Sequence, residues 1–139
     1  MENQIINIQK IFKSEKKAVR YVEPLIWEIR EKIQIDDERF YNILIALTEA
    51  VNNAIIHGNK CDANKNVMLT ITANSNYLRI SVLDQWKGFD PSQVEDPREP
   101  ENLLKDSGRG VFLISELTDS YEYKINENGT LLTLNFKIA

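Results

Sequence analysis

The chain has one cysteine, Cys61, and one histidine, His57, in 139 residues. A lone cysteine excludes an internal disulfide framework and fits a reducing compartment, and beside loop-forming residues it reads as inert. No apolar run is long enough to span a bilayer, and the N-terminal MENQIINIQKIFKSEKK lacks the apolar core of a secretory signal. No membrane association and a cytoplasmic location are therefore expected. Lysine and arginine are interspersed with acids at a net charge of −4 and form no basic stripe, which disfavours direct nucleic-acid binding through phosphate neutralisation. There is no internal repeat and no low-complexity segment. A GxxxxGK[ST] phosphate loop is absent, and Gly108-x-Gly110 lacks the third glycine of a dinucleotide fingerprint. Any nucleotide would have to be held by another architecture.

What is present reads as a single domain over 1–139. Residues 4–12 form an isoleucine-rich strand, and from Ser14, a candidate N-cap, apolar residues recur at helical spacing to Ile33. Pro24 inside that run predicts a kink or a break. A second helix starts at Asp36 or Asp37 and stops at Gly58-Asn59. The period then switches to two: VMLTITA (67–73) and YLRISVLD (77–84) form a hairpin. Residues 85–109 form a long polar loop, 110–119 a short helix, and YEYKI (121–125) with LLTLNFKI (131–138) a final hairpin around Asn128-Gly129. The order β-α-α-β-β-loop-α-β-β predicts an α+β two-layer sandwich, a mixed or antiparallel sheet covered by helices on one face.

Three segments carry chemistry. In TEAVNNAIIHGN (48–59), Glu49, Asn53 and His57 are spaced by four and line one helical face. The plain alternative is the solvated side of an amphipathic helix, but Ala46 to Gly58 contains no lysine or arginine. Short amides among alanines suit a pocket wall, where an amide oxygen ligates Mg²⁺ and a carboxylate takes a proton. His57, at the helix end, reads as a structural hydrogen bonder. VLDQWKGFDP (82–91) puts Asp84 at a strand end with Gly88 in the turn after it. That carboxylate suits an exocyclic amine, and the glycine suits close approach to a flat ring, although Asp-to-Gly turns are common. SGRGVFLI (107–114) sets Gly108 and Gly110 before a helix whose free N–H groups suit an anion, as an ordinary capping turn would also do.

In order and spacing, Glu49-x-x-x-Asn53, Asp84-x-x-x-Gly88-Phe89-Asp90-Pro91 and Gly108-Arg109-Gly110 resemble the GHKL (Bergerat-fold) ATPases, whose domain is histidine-kinase-like. More narrowly, EAVNNAIIHGN, GFDP and GRGVFLI resemble the anti-sigma factor serine/threonine kinases of bacterial partner-switching systems. The resemblance spans nearly the whole chain. It implies ATP and Mg²⁺ as cofactors, with Asn53 as the metal ligand and Glu49 as the general base toward a serine or threonine hydroxyl. It implies Asp84 and Gly88 at the adenine, Thr130 supporting Asp84, and Gly108, Arg109 and Gly110 at the phosphates behind a lid over 92–107, where Lys105 adds charge. The implied partners are an anti-anti-sigma (STAS) protein, a sigma factor and a second copy in a homodimer. One residue departs from the pattern: Trp86 stands where the family's first glycine usually stands. It motivates an alternative, a partner-binding module of the same fold without phosphotransfer. A histidine kinase is disfavoured because the only histidine lies within the candidate site, and a gyrase- or chaperone-like ATPase because a transducer domain is not expected in this length.

Overall fold

The computed structural model describes residues 6–85, 113–126 and 129–138. Strand β1 (Ile6–Lys13) leads through a 3-10 helix (Lys16–Tyr21) into α1 (Val22–Lys32), then α2 (Asp37–Asn53) and a π-helical turn (Ala54–Gly58). Strands β2 (Asn66–Ala73) and β3 (Tyr77–Leu83) follow, then a helical stretch over 113–117, β4 (Ser120–Asn126) and β5 (Gly129–Lys137). Among the described residues the five strands form one sheet in the order β1-β2-β3-β5-β4, and every neighbouring pair is antiparallel.

The alternation in the sequence becomes the two faces of this sheet. Val67, Leu69, Ile71 and Ala73 of β2, Leu78, Ile80 and Val82 of β3, and Leu132, Leu134 and Phe136 of β5 point into one buried core. Leu25, Ile26 and Ile29 of α1 and Phe40, Ile43, Leu47, Ala50 and Val51 of α2 complete that core from one side. The expected two-layer α+β arrangement is therefore observed, with a sheet that is antiparallel throughout the described strands.

Local chemistry explains the boundaries. Asp36 caps α2: its side chain accepts from Arg39 N–H at 2.8 Å, while Asp37 and Glu38 place negative charge in the first turn. Asn74 closes the β2–β3 hairpin, its Oδ1 accepting from the N–H groups of Asn76 and Tyr77 at 2.8 and 3.0 Å. The break near Pro24 falls earlier than the proline itself, at Tyr21–Val22. Pro24 is then a first-turn residue of α1, where a missing N–H leaves no helical bond unmade. Ser14 does not cap a helix: Glu15 occupies the cap position of the 3-10 helix, and Ser14 is fully buried in a polar contact described below. No helix among the described residues is long and apolar enough to cross a membrane.

Candidate functional site

The site is built where the end of α2 meets the end of β3. Glu49 is half-buried, and Asn53, one turn later on the same face of α2, is only 5% exposed. Within the described residues the Asn53 Nδ2 group has no hydrogen-bond partner. Leaving a buried amide donor unmade costs about 1–3 kcal/mol, so native interiors seldom keep one without a use for it. The helix widens immediately after Asn53. In the turn Ala54–Gly58, Asn59 N–H bonds to the Ala54 carbonyl at 2.8 Å, a five-residue step. Such π turns recur at functional positions. The α-helical spacing that aligns Glu49 with Asn53 therefore ends at Asn53, and His57 sits half-buried inside the wider turn, engaged with its neighbours.

Asp84 follows the last residue of β3 and is 2% exposed. The ladder with β5 continues through it: Asp84 N–H donates to the Thr130 carbonyl at 3.0 Å, and Asp84 Oδ1 accepts from Thr130 N–H at 3.2 Å. Gly129 makes this approach possible. Its φ is +145°, and a Cβ there would lie 1.8 Å from the Asp84 carbonyl oxygen. Thr130 thus contacts Asp84 through its backbone. Its own hydroxyl is buried and has no partner among the described residues.

Asp84 and Thr130 are brought into direct contact, and Glu49 and Asn53 share a helix face. Gly88, Gly108, Arg109 and Gly110, with Trp86 and Lys105, lie outside the described residues. Sequence reasoning overlooked Asn59, which it took for a helix stop. This amide is fully buried and joins three segments: Nδ2 donates to Ser14 Oγ at 2.5 Å and to the Asn66 carbonyl at 2.9 Å, while Oδ1 accepts from Gln85 N–H at 2.7 Å. Its only signal was an amide following His57-Gly58, where a helix stop alone needs no buried side chain.

The donor set suits a magnesium nucleotide. The amide oxygen of Asn53 is a hard neutral ligand, and its unsatisfied Nδ2 calls for an acceptor such as a phosphate oxygen. A carboxylate held by a backbone N–H and shielded from water suits an amine donor on a flat ring. A cavity of about 830 Å³ opens between the α1–α2 link and Ile138, at the opposite end of β3 from Asp84. Its rim carries Arg30 paired with Asp37, and it contains none of these groups.

A family model described as the histidine kinase-like ATPase domain matches residues 12–136. The chain is 33% identical over 106 residues to an anti-sigma F factor of Clostridium perfringens, covering 73% of this chain and 74% of that one. It is 24% identical over 108 residues to the serine-protein kinase RsbW of Oceanobacillus iheyensis, covering 73% and 68%. The fold matches the crystal structure of the RsbU and RsbW domains of a Mycobacterium tuberculosis protein with a TM-score of 0.69 at 20% identity. That match takes in 96% of this chain and 32% of the longer one, so this chain spans about a third of that protein.

Proposed function

The chain belongs to the histidine kinase-like ATPase family, and on that premise we propose that it is an ATP-dependent protein serine/threonine kinase that also acts as an anti-sigma factor. It works as a single domain over 1–139, in the cytoplasm and as a homodimer. It sequesters a sigma factor and phosphorylates a small anti-anti-sigma (STAS) protein. The observation that carries this reading is the buried Asn53 amide, whose Nδ2 has no partner among the described residues, one helical turn from the half-buried Glu49.

Asp84, held by Thr130, accepts the exocyclic amine of adenine and orients the base, with Gly88 beneath the ring. Asn53 would hold Mg²⁺ through its amide oxygen, and Gly108, Arg109 and Gly110 would supply the phosphate contacts that the family resemblance implies. The metal, when bound, neutralises phosphate charge. Glu49 accepts the proton of the serine or threonine hydroxyl as it becomes a nucleophile, a task that needs an ionised carboxylate within reach of that hydroxyl. Phosphorylation puts negative charge into the STAS interface and so shifts the choice between two partners.

The test pairs the protein with its STAS substrate and labelled ATP. Glu49→Gln should bind nucleotide and both partners like the wild type while phosphotransfer falls by about 10²-fold or more. Equal transfer by Glu49→Gln would remove Glu49 as the base. Partner binding without any transfer by the wild type would leave a non-catalytic partner-binding module.

A further inference from the structure

Asn59 is a fully buried amide with three of its bonding sites in use, and the polar circuit around it reaches the backbone just after Asp84. Its Oδ1 accepts from the N–H of Gln85, the residue directly after Asp84, at 2.7 Å. Its Nδ2 is anchored on Ser14 Oγ and the Asn66 carbonyl, so the acceptor is held in one orientation by β1 and β2. The exposed Gln85 side chain returns to the same place, its Oε1 accepting from Asn66 N–H. Asp84 is therefore bracketed. Before it in space stand the two bonds to Thr130 and the close contact with Gly129; after it stands Asn59. The backbone N–H of Asn59 bonds to Ala54 at the start of the π turn, so the same residue is fixed to the helix that carries Glu49 and Asn53.

We infer that Asn59 is a positioning residue for nucleobase recognition, one that fixes the Asp84–Gln85 turn against the end of α2 and so aims the Asp84 carboxylate at an exocyclic amine. This rests on the nucleotide-binding reading above. A small shift of that carboxylate weakens its hydrogen bond to the base, whereas Asn53 is carried by α2 and not by the Asp84–Gln85 turn.

The probes are ADP and inosine diphosphate, titrated calorimetrically into the full chain under conditions where circular dichroism shows each variant folded. Hypoxanthine presents a carbonyl where adenine presents an amine, so a well-aimed Asp84 prefers ADP. Asn59→Ala should lower ADP affinity by about tenfold, leave inosine diphosphate affinity unchanged, and so collapse the preference. Asn59→Asp keeps an acceptor for Gln85 N–H but loses both Nδ2 donors and sets a carboxylate oxygen against the Asn66 carbonyl, so it should lose the preference as Asn59→Ala does. A residue that only stabilises the fold would lower the melting temperature and leave the ratio of the two affinities unmoved; that result overturns the inference. If Asn59→Ala does not fold, Gln85→Ala tests the same bracket from the surface, with an expected loss of preference of about threefold. An unchanged ratio in Gln85→Ala would then overturn it. A wild type that binds neither nucleotide brings down the reading of the site together with this inference, whereas a wild-type preference that survives in the variants brings down the inference alone.

Discussion

Gly129→Ala places one methyl group against the backbone of Asp84, and the geometry allows the consequence to be worked through. The new Cβ would stand 1.8 Å from the Asp84 carbonyl oxygen, 2.9 Å from its carbonyl carbon and 3.2 Å from Gln85 Cα. All three are backbone atoms, so no side-chain rotation relieves the overlap. The two segments must separate by roughly 1 Å or more, because interiors this densely packed offer no other relief. That separation carries the bonds Asp84 N–H to Thr130 carbonyl and Thr130 N–H to Asp84 Oδ1, now 3.0 and 3.2 Å, out of bonding range. Each bond contributes about 1 kcal/mol. Holding a residue with a Cβ at a φ of +145° adds about 1–3 kcal/mol of strain. The expected loss is about 3–5 kcal/mol, a large part of a typical domain's total stability. Urea unfolding, with a slope m shared by wild type and variant, measures it. A loss below about 1 kcal/mol would show instead that the turn moves away without disturbing Asp84.

Three other outcomes are expected. Thr130→Val removes a buried hydroxyl that has no partner among the described residues, so stability without nucleotide should be unchanged or higher by up to about 1 kcal/mol; urea unfolding reads it, and a loss above about 2 kcal/mol would contradict the assignment. Its nucleotide affinity should fall in a parallel calorimetric titration, because the hydroxyl has no other use in the described structure. Asp36→Ala should cost about 1 kcal/mol in thermal unfolding by removing the α2 cap, with no change in nucleotide affinity. Trp86→Gly should bind ATP at least as tightly as the wild type if the family's glycine position approaches the nucleotide; weaker binding would show that Trp86 contributes a contact.

The regular parts of this fold were legible because their signals are local. The spacing of Phe40, Ile43, Leu47 and Val51 reports a helix face, and the alternation of Val67, Leu69 and Ile71 reports a strand face. The start of α2 near Asp36 or Asp37 was readable for the same reason. What escaped depends on partners far away in the chain. Ser14 looks like a cap to its neighbours, yet its hydroxyl meets Asn59, 45 residues on. Gly129 looks like an ordinary hairpin residue, yet its lack of a side chain matters for the backbone of Asp84. The π turn was invisible because apolar spacing over five residues does not separate it from an α turn. Of the candidate site, Glu49 with Asn53 followed from helical spacing, and Asp84 from its place at a strand end. The contact between Asp84 and Thr130 required the pairing of β3 with β5, which periodicity alone does not specify.

Everything proposed for this protein depends on a magnesium-dependent nucleotide site built around Asn53. The most direct measurement is a calorimetric titration of the protein with ATP, with and without Mg²⁺, repeated on Asn53→Ala. Saturable binding that requires Mg²⁺ is expected, and it should be lost in Asn53→Ala, while that variant unfolds within about 1 kcal/mol of the wild type, since the Nδ2 group removed has no partner among the described residues. Wild-type protein that fails to bind ATP at millimolar concentration, or Asn53→Ala that binds it as the wild type does, would contradict it.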